Sequence, residues 1–165
     1  MIKLLTALIG SLLACQAHAD KSDWLVVAAN DKSGDYIAAT VADNDKDFLA
    51  YRCFKELQLC SIALRSSIKC EDKAKYPMLV NSESGSFAIE GTCTLNKGNY
   101  EHILTPYIQI RDVLVKGEGI FGIAIPMASG EFKAIRFKLR GASEAMMEVT
   151  AKTKKLGDSK LSDTF

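Results

Sequence analysis

The run Gly119-Ile120-Phe121-Gly122-Ile123-Ala124-Ile125-Pro126 leads through Met127-Ala128-Ser129-Gly130 into Glu131-Phe132-Lys133-Ala134-Ile135-Arg136-Phe137-Lys138-Leu139-Arg140-Gly141. Its second half alternates. Ile135, Phe137 and Leu139 share one parity and Ala134, Arg136, Lys138 and Arg140 the other, the period-2 pattern of a half-buried strand. The first half is apolar on both parities, as a strand covered on both faces would be. Together they predict a β-hairpin turning at Ser129-Gly130, and so a sheet with a substantial core.

Downstream of the hairpin, Ser143 is placed to cap a helix with Met146, Val149, Thr153 and Leu156 on one face, Lys152, Lys154 and Lys155 near its negative end and Gly157 after it. Residues 158–165 then read as a loose tail. Upstream, strands are predicted over Trp24–Asn30, Tyr36–Ala42, Phe48–Phe54, Leu57–Leu64, Met78–Asn81 and Ser86–Leu95, separated by polar turns. Between Asn96 and Gly119 two readings compete. Thr105-Pro106 suits a helix cap and first helical position with Gly117 as the stop, whereas Ile108, Ile110, Val113 and Val115 favour extension; the balance goes to a short helix. The resulting expectation is a mainly β chain, an antiparallel sandwich or partly open barrel of about seven strands, with one or two short helices including a C-terminal one.

Residues 1–19 read as a secretory signal peptide: Lys3, an apolar run from Leu4 to Ala14, then Ala17-His18-Ala19 before Asp20. That run is about 11 residues, short of the roughly 20 needed to span a bilayer, and no transmembrane span is expected in the mature chain. Leu12-Leu13-Ala14-Cys15 also matches a bacterial lipobox, which would make Cys15 a lipid anchor to the envelope. Free export to the periplasm or beyond is the favoured reading. Residues 20–157 then form a single β-rich domain. One of the 21 lysines and arginines lies in the leader, so the mature cations balance the 20 acids, and no basic surplus recommends nucleic acid.

Past the leader four cysteines remain: Cys53, Cys60, Cys70 and Cys93. An even count in an exported chain predicts two disulfides. Cys53 with Cys60 is the favoured pair because Tyr51–Leu64 reads as a hairpin turning near Glu56-Leu57, which leaves Cys70 for Cys93. Chain entropy alone would make these loops worth about 2.5 and 3.4 kcal/mol. Zinc is disfavoured, since short CxxC spacing is absent and His102 is the sole histidine after the leader.

Three patterns invite a chemical reading, and each is weak. Asp43-Asn44-Asp45-Lys46-Asp47 alternates carboxylates like the start of a calcium loop, but Phe48 stands where Gly is required and Phe54 where the bidentate Glu belongs. Asp31, Ser33 and Asp35 repeat the theme, and both read as solvated turns. Ser66-Ser67-Ile68-Lys69 has Ser-x-x-Lys spacing without its companion motifs, and His102 reads as a polar loop histidine. No cofactor, metal or catalytic set is expected. The outward row Arg136, Lys138, Arg140 is the candidate partner face. With a two-residue turn, Phe121 would fall opposite Lys138, so that the cation's stem covers apolar surface.

Ile108-Gln109-Ile110-Arg111-Asp112-Val113-Leu114-Val115-Lys116-Gly117, the hydrophobic limb after it, and Phe137-Lys138-Leu139-Arg140-Gly141-Ala142-Ser143-Glu144-Ala145-Met146 resemble the invasion-associated locus B family of exported bacterial proteins, with Trp24 and the mid-chain cysteines in similar order. The chain departs from that pattern in having no Cys shortly after Trp24 and Ala142 where an aromatic often follows the Gly. The resemblance implies a secreted or envelope-associated β-sandwich protein without established enzyme activity, some members being linked to host-cell invasion. The expected function is therefore non-catalytic binding of a protein or surface component. The alternatives are a periplasmic enzyme inhibitor or immunity protein, a cell-wall or lipid hydrolase, and a structural part of an envelope assembly.

Overall fold

The computed structural model describes residues 22–29, 34–96 and 98–161, and the side chains of these except 96 and 155–161. The leader with Cys15, Asp31 and Ser33, and residues 162–165 lie outside the described residues.

Nine strands follow one another with two helices among them. They are β1 (Leu25–Ala28), β2 (Tyr36–Val41), β3 (Phe48–Phe54), β4 (Leu59–Arg65), β5 (Lys75–Ser82), β6 (Gly85–Asn96) and β7 (Asn99–Thr105). Helix α1 (Tyr107–Lys116) precedes β8 (Ile120–Pro126) and β9 (Phe132–Lys138), and α2 (Ala142–Leu161) ends the described chain. All pairs are antiparallel, in one open sheet of order β1-β2-β3-β4-β7-β6-β5-β8-β9. Hairpins explain every neighbour except β4–β7 and β5–β8. Those two arise because the connection 66–74 carries β5 past two positions that β6 and β7 then fill.

Register makes one face of this sheet continuous. Ala38, Leu49, Tyr51, Ile62, Leu64, Leu104, Ile89, Met78, Val80, Ile123, Phe121, Ile135 and Phe137 all project to the concave side, where they are buried. Both helices sit on that side. Ile110 and Leu114 of α1 and Ala142, Ala145, Met146 and Val149 of α2 join the same core, α2 against β1–β3 and α1 against β4 and β7. Among the described residues the convex side carries no helix.

The open side is drawn shut without a ladder. Successive outward carbonyls of the β9 edge and the residues after it are taken by the N-terminal part of the chain. The Asp43 N–H donates to Arg136 O (3.1 Å), the Trp24 indole Nε1–H to Lys138 O (3.0 Å) and the Asp23 N–H to Arg140 O (3.1 Å). Trp24 is buried in this seam. The architecture is thus the partly open barrel of the two forms expected, since no second sheet exists among the described residues.

Both disulfides join the expected partners. Cys53 and Cys60 face each other across β3 and β4, with Cα atoms 4.0 Å apart. Cys70 and Cys93, 6.1 Å apart at Cα, tie the connection 66–74 to β6.

Several expectations need correction. β7 does not show in the periodicity: Glu101 and His102 are both buried, one on each face, so its alternation of polar and apolar residues is lost. β5 runs further than Met78–Asn81 and contains Pro77. Extending the β5–β8 register would set Pro77 against Pro126, neither with an N–H to give, and the ladder stops at Leu79↔Ala124. Helix α1 forms, but Pro106, after a cis bond to Thr105, is its cap residue rather than its first helical one, and no side chain caps it. Gly117 ends it as expected, although not in a left-handed turn (φ −82°). A Cβ there would lie 2.8 Å from Val113 O and 2.5 Å from Leu139 Cδ1, so glycine serves close packing. α2 begins at Ala142, which puts Ser143 inside its first turn, and continues through Gly157 to Leu161.

Candidate functional site

The hairpin that defines the candidate face turns through five residues, 127–131, rather than two. Met127 N–H donates to Glu131 O and Gly130 N–H to Met127 O, with Gly130 at φ +84°, a conformation that glycine adopts without strain. The longer turn slips the register by one residue. Phe121 therefore faces Phe137, and Gly122 faces Arg136. Since a one-residue slip sends side chains to the other face, Phe121 is wholly buried (0% exposed) and belongs to the core, not to any surface.

The three cations do share the convex side but differ in circumstance. Arg140 is held by Asp23 (3.0 and 3.2 Å). Lys138 lines a hollow with Asp23, Asp43 and Asp45, beyond ion-pairing distance of them. Arg136 is exposed and makes no ion pair among the described residues.

Beside Arg136 and Lys138 the register assembles an apolar surface that no single strand reveals. Ala88, Leu79, Ala124 and Ala134 form one row across β6, β5, β8 and β9. Leu79 is 45% exposed, and Phe132, at the far end of β9, is 68% exposed. Ile120 lies opposite Lys138 on the same side. Rows on one face are about 6.8 Å apart, so this is a continuous patch of small and apolar groups with two cations along one border.

The other candidate residues serve structure. In the loop 43–47, Asn44 Oδ1 accepts from the N–H groups of Lys46 and Asp47. The Asp47 carboxylate, fully buried, accepts from Asn44 Nδ2 (2.6 Å), the Ser67 N–H (2.9 Å) and Lys133 Nζ (3.0 Å). Burial pushes its pKa up, but these donors outweigh burial and hold it below the ordinary carboxylate value. Asp47 is thus committed to joining the β2–β3 turn, the connection 66–74 and β9. Ser66 Oγ accepts from the Ile68 N–H, while Lys69 is exposed. Among the described residues no group of three or more His, Cys, Asp and Glu could hold a metal ion.

His102 corrects the expectation of a polar loop histidine. It lies in β7 between Leu64 and Cys93, fully buried, edge-on to Tyr76 at 5.6 Å between ring centres. Neither ring nitrogen has a hydrogen-bond partner among the described residues. Burial pushes its pKa down, against a weaker opposing pull from the Leu64 backbone.

Glu101, next to it, points to the convex side and was missed from sequence. Its carboxylate takes Arg52 Nη2 at 2.8 Å and Arg65 Nη2 at 2.7 Å, binding β3, β4 and β7 together. Burial raises its pKa, and the two guanidinium groups more than reverse this, leaving it below the ordinary glutamate value. The signal was present as Arg52 and Arg65 on the outward parity of adjacent strands, but it needs the β4–β7 pairing to be seen.

The sequence matches no protein-family model and no curated protein. The fold resembles that of a solved protein. This is the crystal structure of invasion associated protein B from Bartonella henselae, with TM-score 0.57, the likeness covering 81% of this chain and 95% of that one. The two are 14% identical, so the likeness is one of fold.

Proposed function

We propose that this is an exported, non-catalytic protein of a bacterial envelope that binds a protein or other surface component through its convex face, and that it is distantly related to the invasion-associated locus B family. The observation that carries the reading is the patch of Leu79, Ala124, Ala134 and Phe132 bordered by Arg136 and Lys138. It is apolar and, among the described residues, left without a covering element, whereas both helices pack on the opposite side of the sheet. Two disulfides support an oxidising compartment. No helix among the described residues is long and apolar enough to cross a membrane. The fold likeness to a protein whose name associates it with invasion favours a role at the cell surface. The absence of catalysis is part of the proposal. Its support is that Asp47 and Glu101 are consumed by structural partners and His102 is walled off from solvent.

The test places a photo-crosslinking amino acid at Leu79, at Phe132 and, as a control, at Leu57 in the exposed β3–β4 turn, followed by mass spectrometry of products from the native envelope. Defined adducts from Leu79 and Phe132 but not Leu57, lost when Arg136 and Lys138 are both changed to Glu, are expected. Equal adducts from all three sites, or adducts unchanged by charge reversal, would overturn it.

A further inference from the structure

A second concavity lies on the opposite side of the molecule from the convex patch and has a different character. It has a volume of about 630 Å³ between α1, α2 and the Cys53–Cys60 hairpin, within the size range of small-molecule clefts. Its apolar wall includes Met146, buried at the floor, with Val115 and Met147 exposed at the rim, Met147 by 60%.

The polar groups around it divide sharply into spent and unspent donors. Thr150 gives its one hydroxyl proton to Met146 O (2.8 Å), so it can only accept from Tyr51 at 3.0 Å. Tyr51 in turn accepts from the Tyr107 hydroxyl at 3.4 Å. This chain of hydroxyls uses every proton it owns. Burial, then the bond to Tyr51, pushes the Tyr107 pKa up to about 12, so the phenol remains uncharged and repels no anion. The donors left for an occupant are Lys154, the Gln58 amide and those N–H groups of Arg111 that its contacts with Asp112 and Tyr107 do not use.

Among the described residues no carboxylate lines the cleft. Lys154 makes no ion pair among the described residues, and Arg111 meets Asp112 at 3.1 Å in a half-exposed pair of adjacent residues, an arrangement that holds a guanidinium only weakly. Two cations therefore face a cavity whose remaining wall is largely methionine, valine and the aromatic bodies of Tyr51 and Tyr107. The geometry points to a binding site here for a single-chain fatty carboxylate, its head on Arg111 and Lys154 and its chain along Val115, Met146 and Met147. An arginine fork matches a carboxylate in two parallel hydrogen bonds, and unbranched methionines adapt to a flexible chain.

Calorimetric titration of the disulfide-intact protein with dodecanoate, below its micelle concentration, tests this. Saturable one-to-one binding is expected, at least tenfold weaker for methyl dodecanoate, which keeps the chain and loses the charge. Arg111→Gln with Lys154→Gln should weaken dodecanoate binding tenfold or more without moving the thermal midpoint. Ala151→Trp, which fills the cleft, should abolish it. If that variant fails to fold, Met147→Glu at the exposed rim replaces it and must weaken binding as strongly. No saturable heat, equal affinity for acid and ester, retention of binding in the filled or acid-rimmed variant, or association only with phosphatidylglycerol vesicles would each overturn the assignment.

Discussion

Replacing Asp47 by Ala removes the acceptor that the β2–β3 turn, the connection 66–74 and β9 share. Two charge-assisted bonds, from Asn44 and from the Ser67 N–H, disappear along with the pair to Lys133. Hydrogen bonds to a charged group are worth about 1.5–3 kcal/mol each in general. Lys133 is 27% exposed and can turn to water, so no buried charge is left behind and the two lost bonds set the cost, about 3 kcal/mol. At a urea dependence of about 1.5 kcal/mol per molar, the unfolding midpoint falls by about 2 M. Lys133→Ala removes one charge-assisted bond, while Asn44 and the Ser67 N–H still hold the carboxylate, and costs about 1–2 kcal/mol. Asp47→Asn is not a gentle substitute. Asn44 Oδ1 is occupied by two backbone N–H groups, so its NH2 cannot flip away, and the new amide must set its own NH2 against either the Ser67 N–H or both Asn44 Nδ2 and Lys133 Nζ. It should recover less than half of the loss. Because the folded-state pKa of Asp47 is lowered, its contribution is complete above the ordinary carboxylate value and is lost as pH falls through the folded one. The Ala variant therefore shows a shallower acid limb in urea midpoint against pH. A midpoint shift under about 0.5 M, or Lys133→Ala proving as costly as Asp47→Ala, would refute the reasoning.

Three more outcomes are expected. His102 is buried with a lowered pKa, so the unfolded chain takes up a proton first and stability drops as pH falls below about 6.5, by at most about 1.4 kcal/mol per pH unit from this group; His102→Leu should flatten that region of the denaturation profile, and an unchanged slope would count against it. Glu101→Gln leaves Arg52 and Arg65 without their anion and should cost about 2–3 kcal/mol in urea unfolding; a neutral result would show the triad to be ordinary surface charge. Changing Cys70 and Cys93 together to Ser should lower the thermal midpoint more than the same change at Cys53 and Cys60, since the longer loop is worth about 3.4 against 2.5 kcal/mol; the reverse order in melting experiments would contradict the loop argument.

What the chain shows in its own sequence is what short-range patterning controls. Ile135 and Phe137 marked the inner side of β9, Met146, Val149 and Thr153 the inner side of α2, and the hairpin reading of 51–64 paired Cys53 with Cys60. Features set by distant strands were not legible. Phe121 changed faces because turn length, not residue type, decides register. β7 was hidden because an acid and a histidine occupy positions where an isolated strand would show alternation, and both make sense only beside β4 and β6. The convex patch is likewise a property of four strands in order, since Leu79, Ala124 and Ala134 are unremarkable one at a time.

The indole of Trp24 reaches a carbonyl 114 positions later. A chain threaded across a membrane from its amino end would have to keep that ring unsatisfied until nearly all of the domain had emerged, because its acceptor is among the last pieces delivered. Contacts of such long span form late in folding. For the exported protein proposed above, completion of the native state is thereby tied to completion of transport, and a polypeptide cut short before Lys138 would present a bare strand margin to its neighbours, the kind of surface on which aggregation starts.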